Sequence, residues 1–153
     1  MDINRKMKEL NIDLPQVPPR GGLYTPMKEF GKQFAYLSGF GPETEEYSIK
    51  GKLDSCVTIE AGCQAARHCI LNMLSAIRDR IGDLNKIKSF VKITVFVASE
   101  NDFYMQPKVA NGATQLLLDL FGEETGLPAR SAIGVNVLPG NIPVEIEALI
   151  ELK

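Results

Sequence analysis

Lys88-Ser89-Phe90-Val91-Lys92-Ile93-Thr94-Val95-Phe96-Val97 reads as a β-strand. Val91, Ile93, Val95 and Val97 recur at every second residue and so share one face, and β-branched side chains suit a pleated surface. The stretch decides the fold because a helical pattern flanks it on each side. Upstream, Thr58 is a natural N-cap and Glu60 sits in the first turn, facing the positive helix end. Ile59, Cys63, Ala66, Ile70, Met73 and Ile77 then step by four and three residues, and Gly82 is placed to end the helix in a left-handed conformation. Downstream, 107–121 carries Pro107 in its first turn and Ala113, Leu116, Leu117 and Leu120 facing inward, with Gly122 after its end.

Two strands finish the chain, near 131–138 and 143–152, around the turn Pro139-Gly140-Asn141. Towards the N-terminus, two short strands fall near 23–28 and 33–38, joined by the polar turn Lys28-Glu29-Phe30-Gly31-Lys32. Residues 39–57 read as a surface loop. Ile3, Met7 and Leu10 have helical spacing, and prolines and glycines over 11–22 break any regular element. The order β-β-α-β-α-β-β predicts an α+β domain with one sheet and two helices on one face. A single domain over 1–153 is expected, with an N-terminal helical extension at about 1–20. The last strand puts Val144, Ile146, Ala148 and Ile150 on one side and Glu145, Glu147, Leu149 and Glu151 on the other. That second side either stays wet in a monomer or packs between subunits around a symmetry axis.

A net charge of −2 with scattered basic residues argues against a nucleic-acid partner, which would call for a clustered basic surface. Cys56, Cys63 and Cys69 form neither an even framework nor a CxxC metal motif, so a reducing cytoplasm is the expected location. No apolar run suits a signal peptide or a membrane span.

Few residues carry chemistry on their own. Arg130 follows Leu127-Pro128-Ala129 at a strand start, where its guanidinium fork could hold a carboxylate or simply be solvated. Glu145 and Glu147 share a strand side; they are either a carboxylate pair able to split acid and base roles or a polar sheet face. If the last two strands are adjacent and antiparallel, Arg130 and Glu145 approach one end of the sheet. His68, on the long helix but off its apolar stripe, is expected at the helix surface without a catalytic role. Cys63 and Cys69 read as small core residues. Gly39-Phe40-Gly41-Pro42 is no phosphate loop, lacking the GxxxxGK[ST] pattern. Ser38-Gly39, closing an apolar strand, offers a hydroxyl and free amides to a small anion.

Several short motifs resemble the RidA/YjgF family, whose members often carry the label L-PSP endoribonuclease. They are Tyr24 after a glycine pair, Tyr36-Leu37-Ser38-Gly39, Val91 to Val97, Asp102-Phe103, Val109-Ala110-Asn111-Gly112-Ala113, Pro128-Ala129-Arg130-Ser131 and Val144-Glu145-Ile146-Glu147-Ala148. The resemblance implies a chorismate-mutase-like fold with one mixed sheet, and a homotrimer whose sheets line a central barrel-like core. Active sites would lie in the three clefts between subunits. It further implies hydrolysis of reactive enamines and imines, such as 2-aminoacrylate and 2-iminopropionate, to 2-oxo acids and ammonia, without metal or organic cofactor. On this chain Arg130 would clamp the substrate carboxylate and Glu145 would position water. The backbone around Ala132 would meet the imine nitrogen, Tyr24, Ser38 and Gly39 would shape the pocket wall, and Asn111 would support the site. A carboxylate-binding module without turnover is the alternative, and RNA cleavage ranks third. The chain departs from the typical deaminase pattern at Ala132, where a cysteine is usual, and at Phe40, where a glutamine often stands. It looks more like a longer bacterial subgroup with an N-terminal helix and an enlarged loop near 42–57.

Overall fold

The computed structural model describes residues 2–153. The long helix α2 runs Ile59–Ile81 with the expected ends: the Thr58 side chain accepts from Ala61 N, and Gly82 takes φ 83°. Its buried arc is wider than the expected stripe, adding Ala65, Cys69, Leu74 and Ala76. The extra width follows from two packing partners, the sheet on one flank and helix α3 on the other. α3 spans Gln106–Gly126 but is broken at Gly122 (φ 74°, ψ 178°), so the expected stop is a kink followed by one more short helical piece.

The sheet has five strands: β1 Met27–Phe30, β2 Phe34–Phe40, β3 Ile87–Ala98, β4 Ala129–Val135 and β5 Val144–Leu152. Their spatial order is β1-β2-β5-β3-β4, with β3 and β4 parallel and the other pairs antiparallel. This corrects the expected terminal hairpin. α3 carries the chain back from the end of β3 so that β4 starts alongside it, as a parallel pair requires. β5 then crosses to lie between β2 and β3. Its Val144, Ile146, Ala148 and Ile150 are all buried, which suits a central strand, whereas β4 is only half covered and forms an edge.

Two further boundaries differ for physical reasons. β1 begins later than expected, and Lys28, Glu29 and Phe30 are strand rather than turn. On this edge strand only Met27 is buried, so no alternation betrays it. In β3, Phe90 pairs with Ile150 and Lys92 with Leu149, a bulge that takes Val91 off the core face and puts Phe90 on it. Ile93, Val95 and Val97 face the helices as predicted.

α2 and α3 cover one sheet face; the other, bearing Tyr36, Phe96, Glu145, Glu147 and Leu149, has no layer over it. At the N-terminus Asp2 caps the short helix α1, Ile3–Glu9. Ile3 and Met7 are buried, but the helix ends before Leu10, which is exposed. The proline-rich strap after it is pinned to α2 where Ser75 Oγ donates to the Pro15 carbonyl at 2.6 Å. Both chain ends reach Asn85: Ile3 N donates to its Oδ1 at 2.9 Å and Lys153 Nζ to its carbonyl at 2.7 Å. Among the described residues no helix is long and apolar enough to cross a membrane.

The two helices approach closely at Gly112, where a Cβ would collide with the Cys63 backbone carbonyl. Backbone cannot swing aside as a side chain can. Gly112→Ala should therefore destabilise by roughly 1–3 kcal/mol despite its better helix propensity. Urea unfolding checks this, and a variant as stable as wild type would contradict the close approach.

Candidate functional site

Glu145 lies near the start of β5 on the uncovered sheet face, half-buried. β2 bends beside it. Leu37 pairs with Ala148 and Phe40 with Ile146, so Ser38-Gly39 form a bulge opposite that part of β5. A Cβ at Gly39 would strike Glu145 Oε1, so only glycine lets the carboxylate rest against this backbone. Ser38 donates from N to the Pro26 carbonyl (2.9 Å) and from Oγ to the Thr25 carbonyl (2.7 Å). These bonds fasten the segment carrying Tyr24 to the bulge. Tyr24 is turned back on its own loop, its hydroxyl accepting from Gly21 N and its carbonyl from Arg20 Nη1, each at 3.3 Å. Burial first, and the charge of Glu147 second, raise the Glu145 pKa above the usual carboxylate value.

Arg130 belongs to a different group. It opens β4 and reaches α3, where its Nη1 donates to Asn111 Oδ1 (2.9 Å) and Thr114 Oγ1 (3.1 Å). Asn111 and Thr114 are one helical turn apart, so they present two acceptors to one nitrogen. Nε and Nη2 make no hydrogen bond within the described residues, leaving one edge of the fork for a carboxylate. Ala132 lies two residues along the same strand and same side, against the core.

The expected approach of Arg130 to Glu145 does not occur within one chain. Arg130 pairs with Ile93 and faces the helices; Glu145 pairs with Phe96 and faces the open side. One strand and three residues separate them, on the order of 13 Å between backbones. The structure thus brings together Tyr24, Ser38, Gly39 and Glu145 in one group and Arg130, Asn111 and Ala132 in another.

Two members of the first group, Tyr24 and Gly39, line a cavity of about 330 Å³ together with Arg20, Glu43 and Asn72 among others. Three of these escaped the sequence reading. Arg20 lies in a stretch read only for its breakers, and Glu43 in one read only as a loop. Asn72 is 2% exposed on α2, and its Nδ2 donates to the Gly41 and Glu43 carbonyls, both at 2.9 Å. A polar residue on the inner arc of an apolar helix was the available signal. Thr114, three residues beyond Asn111, was legible by helical spacing. His68 is not a free surface residue: it is half-covered, stacked on Tyr47 with ring centroids 3.7 Å apart. Cys69 is buried as expected, while Cys63 is only partly so, its thiol directed at the Lys108 carbonyl. Among the described residues no cluster of His, Cys, Asp and Glu could hold a metal ion.

Comparison with known proteins gives consistent results. A profile of the family described as Endoribonuclease L-PSP matches residues 19–152. Protein TCP17 of Trypanosoma cruzi is 39% identical over 148 residues, 96% of this chain and 92% of that protein. The crystal structure of Atu1372 from Agrobacterium tumefaciens, a protein of unknown function, superposes with a TM-score of 0.89 at 35% identity, covering 99% of this chain and 92% of the other. A Shewanella oneidensis MR-1 structure provisionally named an endoribonuclease gives 0.92 at 26% identity, covering 99% and 100%.

Glu147→Gln removes one of the two causes that raise the Glu145 pKa. Its titration, followed by carboxyl carbon NMR shifts, should move to lower pH yet stay above an ordinary glutamate, because burial remains. An unchanged or raised midpoint would mean that the two carboxylates do not interact.

Proposed function

The chain belongs to the Endoribonuclease L-PSP, or RidA/YjgF, family, and we propose that it hydrolyses 2-imino acids and their enamine tautomers to 2-oxo acids and ammonia. The observation that carries the proposal is the division of the site. One face and edge of the subunit hold a guanidinium with a free edge, and the opposite face holds a carboxylate against the β2 bulge. Each group lacks what the other has. A homotrimer that packs the open sheet faces inward would set the Arg130 group of one copy against the Glu145 group of the next. It would also cover Tyr36, Leu149 and Phe96, which a monomer leaves beside water.

In such a cleft Arg130 fixes the substrate carboxylate, with Asn111 and Thr114 holding the fork in place. Glu145 accepts a proton from water as its oxygen adds to the imine carbon. The electron pair of the C=N bond goes to nitrogen, which takes the proton back from Glu145; Glu145 then accepts the carbinolamine hydroxyl proton and passes it to the amine as the C–N bond breaks, releasing ammonia and the 2-oxo acid. The imine carbon is already electrophilic, so positioning the two reactants supplies much of the rate gain. The raised pKa of Glu145 suits a base that must also give the proton back. Ala132 retains the backbone groups that would meet the imine nitrogen. RNA cleavage finds less support, because a second, larger cavity is bordered by carboxylates and by no lysine or arginine, where phosphate contacts would need cations.

Static light scattering should give three times 16.8 kDa, and a monomer at micromolar concentration would remove the composite site. With 2-aminoacrylate or 2-iminopropionate generated in situ and semicarbazide as trap, wild type should lower trapping. Arg130→Ala should abolish both this effect and 2-oxo acid binding. Glu145→Gln should cut turnover by about 10²–10⁴ while sparing binding. Binding without turnover in wild type would instead identify a carboxylate-binding module. The active form of Glu145 is the carboxylate, so the rate should fall as pH drops through a midpoint above that of an ordinary glutamate. Glu147→Gln should shift that limb to lower pH. A wild-type limb at or below the ordinary glutamate value would exclude Glu145 as the base.

A further inference from the structure

The uncovered sheet face holds a polar cluster beside Glu145. Ser131 of β4 pairs with Thr94 of β3, and Thr94 pairs in turn with Glu147 of β5. These three side chains form a row across the open face, since their neighbours Ile93 and Ile146 are buried under the helices. Lys92 stands two residues before Thr94 on the same face, diagonal to both Ser131 and Glu147. A long side chain reaches either diagonal neighbour. The Lys92 Nζ donates to Ser131 Oγ at 2.6 Å. Glu147, the stronger partner by charge, has no salt bridge among the described residues. On the same two strands, by contrast, Lys88 meets Glu151 at 2.9 Å.

The direction in which Lys92 points bears on Glu145. Glu147 lies two residues along β5 on the same side, so the two carboxylates are neighbours. Burial first, and Glu147 second, hold the Glu145 carboxyl above its usual value. Other groups face this part of the sheet from each surrounding element. Cys69 of α2, beneath it, is kept a neutral thiol by burial and then by the Glu145 charge. Tyr36 of β2 lies level with Leu149, and Lys28 of β1 lies opposite Tyr36, two strands from β5. Lys88 is taken by Glu151, and Arg20 of the strap shares the Gly39 cavity. Lys92 is the cation one diagonal from Glu147. While it is held at Ser131 it sits toward a strand whose backbone is about 9–10 Å from β5.

We propose that Ser131 is a positioning residue for Glu145: its hydroxyl holds the Lys92 ammonium on the β4 side and leaves Glu147 without a counterion. The charge of Glu147 then acts on Glu145 in full. Released from Ser131, Lys92 turns to Glu147 and screens it. The catalytic consequence rests on the imine-hydrolysis reading, in which Glu145 takes a proton and gives it back; the placement of the cation does not. The same bond ties edge strand β4 to β3 next to Arg130, a structural role with a different signature.

Carboxyl carbon NMR shifts of Glu145 read the effect without any substrate. In Ser131→Ala the Glu145 midpoint should move to lower pH, yet stay above an ordinary glutamate because burial remains. Ser131→Thr, which keeps the hydroxyl, should retain the wild-type midpoint. Adding Ser131→Ala to Glu147→Gln should cause no further shift, and neither should adding it to Lys92→Met. In the first background the target of the lysine is gone, and in the second the cation itself. A Ser131→Ala midpoint equal to wild type would overturn the proposal. So would a shift that persists in either background, which would trace the effect to the loss of the β4 tie. In the imine assay the acid limb of the rate should follow the midpoint, variant for variant. If the midpoints behave as expected while no imine is consumed, the imine reading fails and the positioning role stands. Consumption of imine with an unshifted Ser131→Ala midpoint would leave that reading intact and remove the positioning role.

Discussion

The placement of β5 between β2 and β3 governs the rest of the structure. Four alternate residues of this strand, Val144, Ile146, Ala148 and Ile150, are buried under the helices, and the intervening Glu145, Glu147 and Leu149 must then face the open side. A strand read by two neighbours cannot slip by one residue without exchanging these faces, so its register is fixed by burial. That register brings Glu145 to the β2 bulge and keeps it away from Arg130. β4, parallel to β3 at the sheet edge, carries Arg130 on the helix side instead. The two chemically useful groups are thus held apart by the same strand order that completes the core.

Glycine is used at the closest approaches. Gly39 lets a half-buried carboxylate lie against strand backbone, and Gly112 lets α3 reach the α2 backbone. Asn111 precedes Gly112, so the position of the side chain that holds Arg130 depends on how closely the helices meet. Asn72 plays a comparable part for the other group: its amide ties the Gly41 and Glu43 carbonyls to α2, and so anchors the loop after the bulge. In both places core packing and site geometry are a single constraint.

The sequence was most legible where one periodicity held for many residues. α2 was found with both caps because its apolar stripe runs for five turns between Thr58 and Gly82. The element order was legible for the same reason. Strand pairing was not, because alternation shows which face of β4 or β5 is buried and not which neighbour each strand chooses. β1 was misplaced because an exposed edge strand buries only Met27, and Val91 because a one-residue bulge resets the alternation. Arg130, Asn111 and Glu145 stood out through motifs that resemble a known family, and their division into two groups needed the sheet order. Glu43 and Asn72 gain meaning only when strap, loop and helix come together, which no local pattern records.

The meeting of both chain ends at Asn85 has a consequence for topology. One side chain and one carbonyl of the same turn receive the first helix and the last residue, so the described chain is nearly a closed ring in space. A short linker between the ends would constrain the unfolded chain far more than the folded one, lowering its loop-closure entropy. New ends could then be cut in exposed loop tips, such as that around Lys32, where the Ser38 bonds to Thr25 and Pro26 would still hold the two sides of the cut together. The order in which the strands leave the ribosome is therefore separable from the order in which they lie in the sheet.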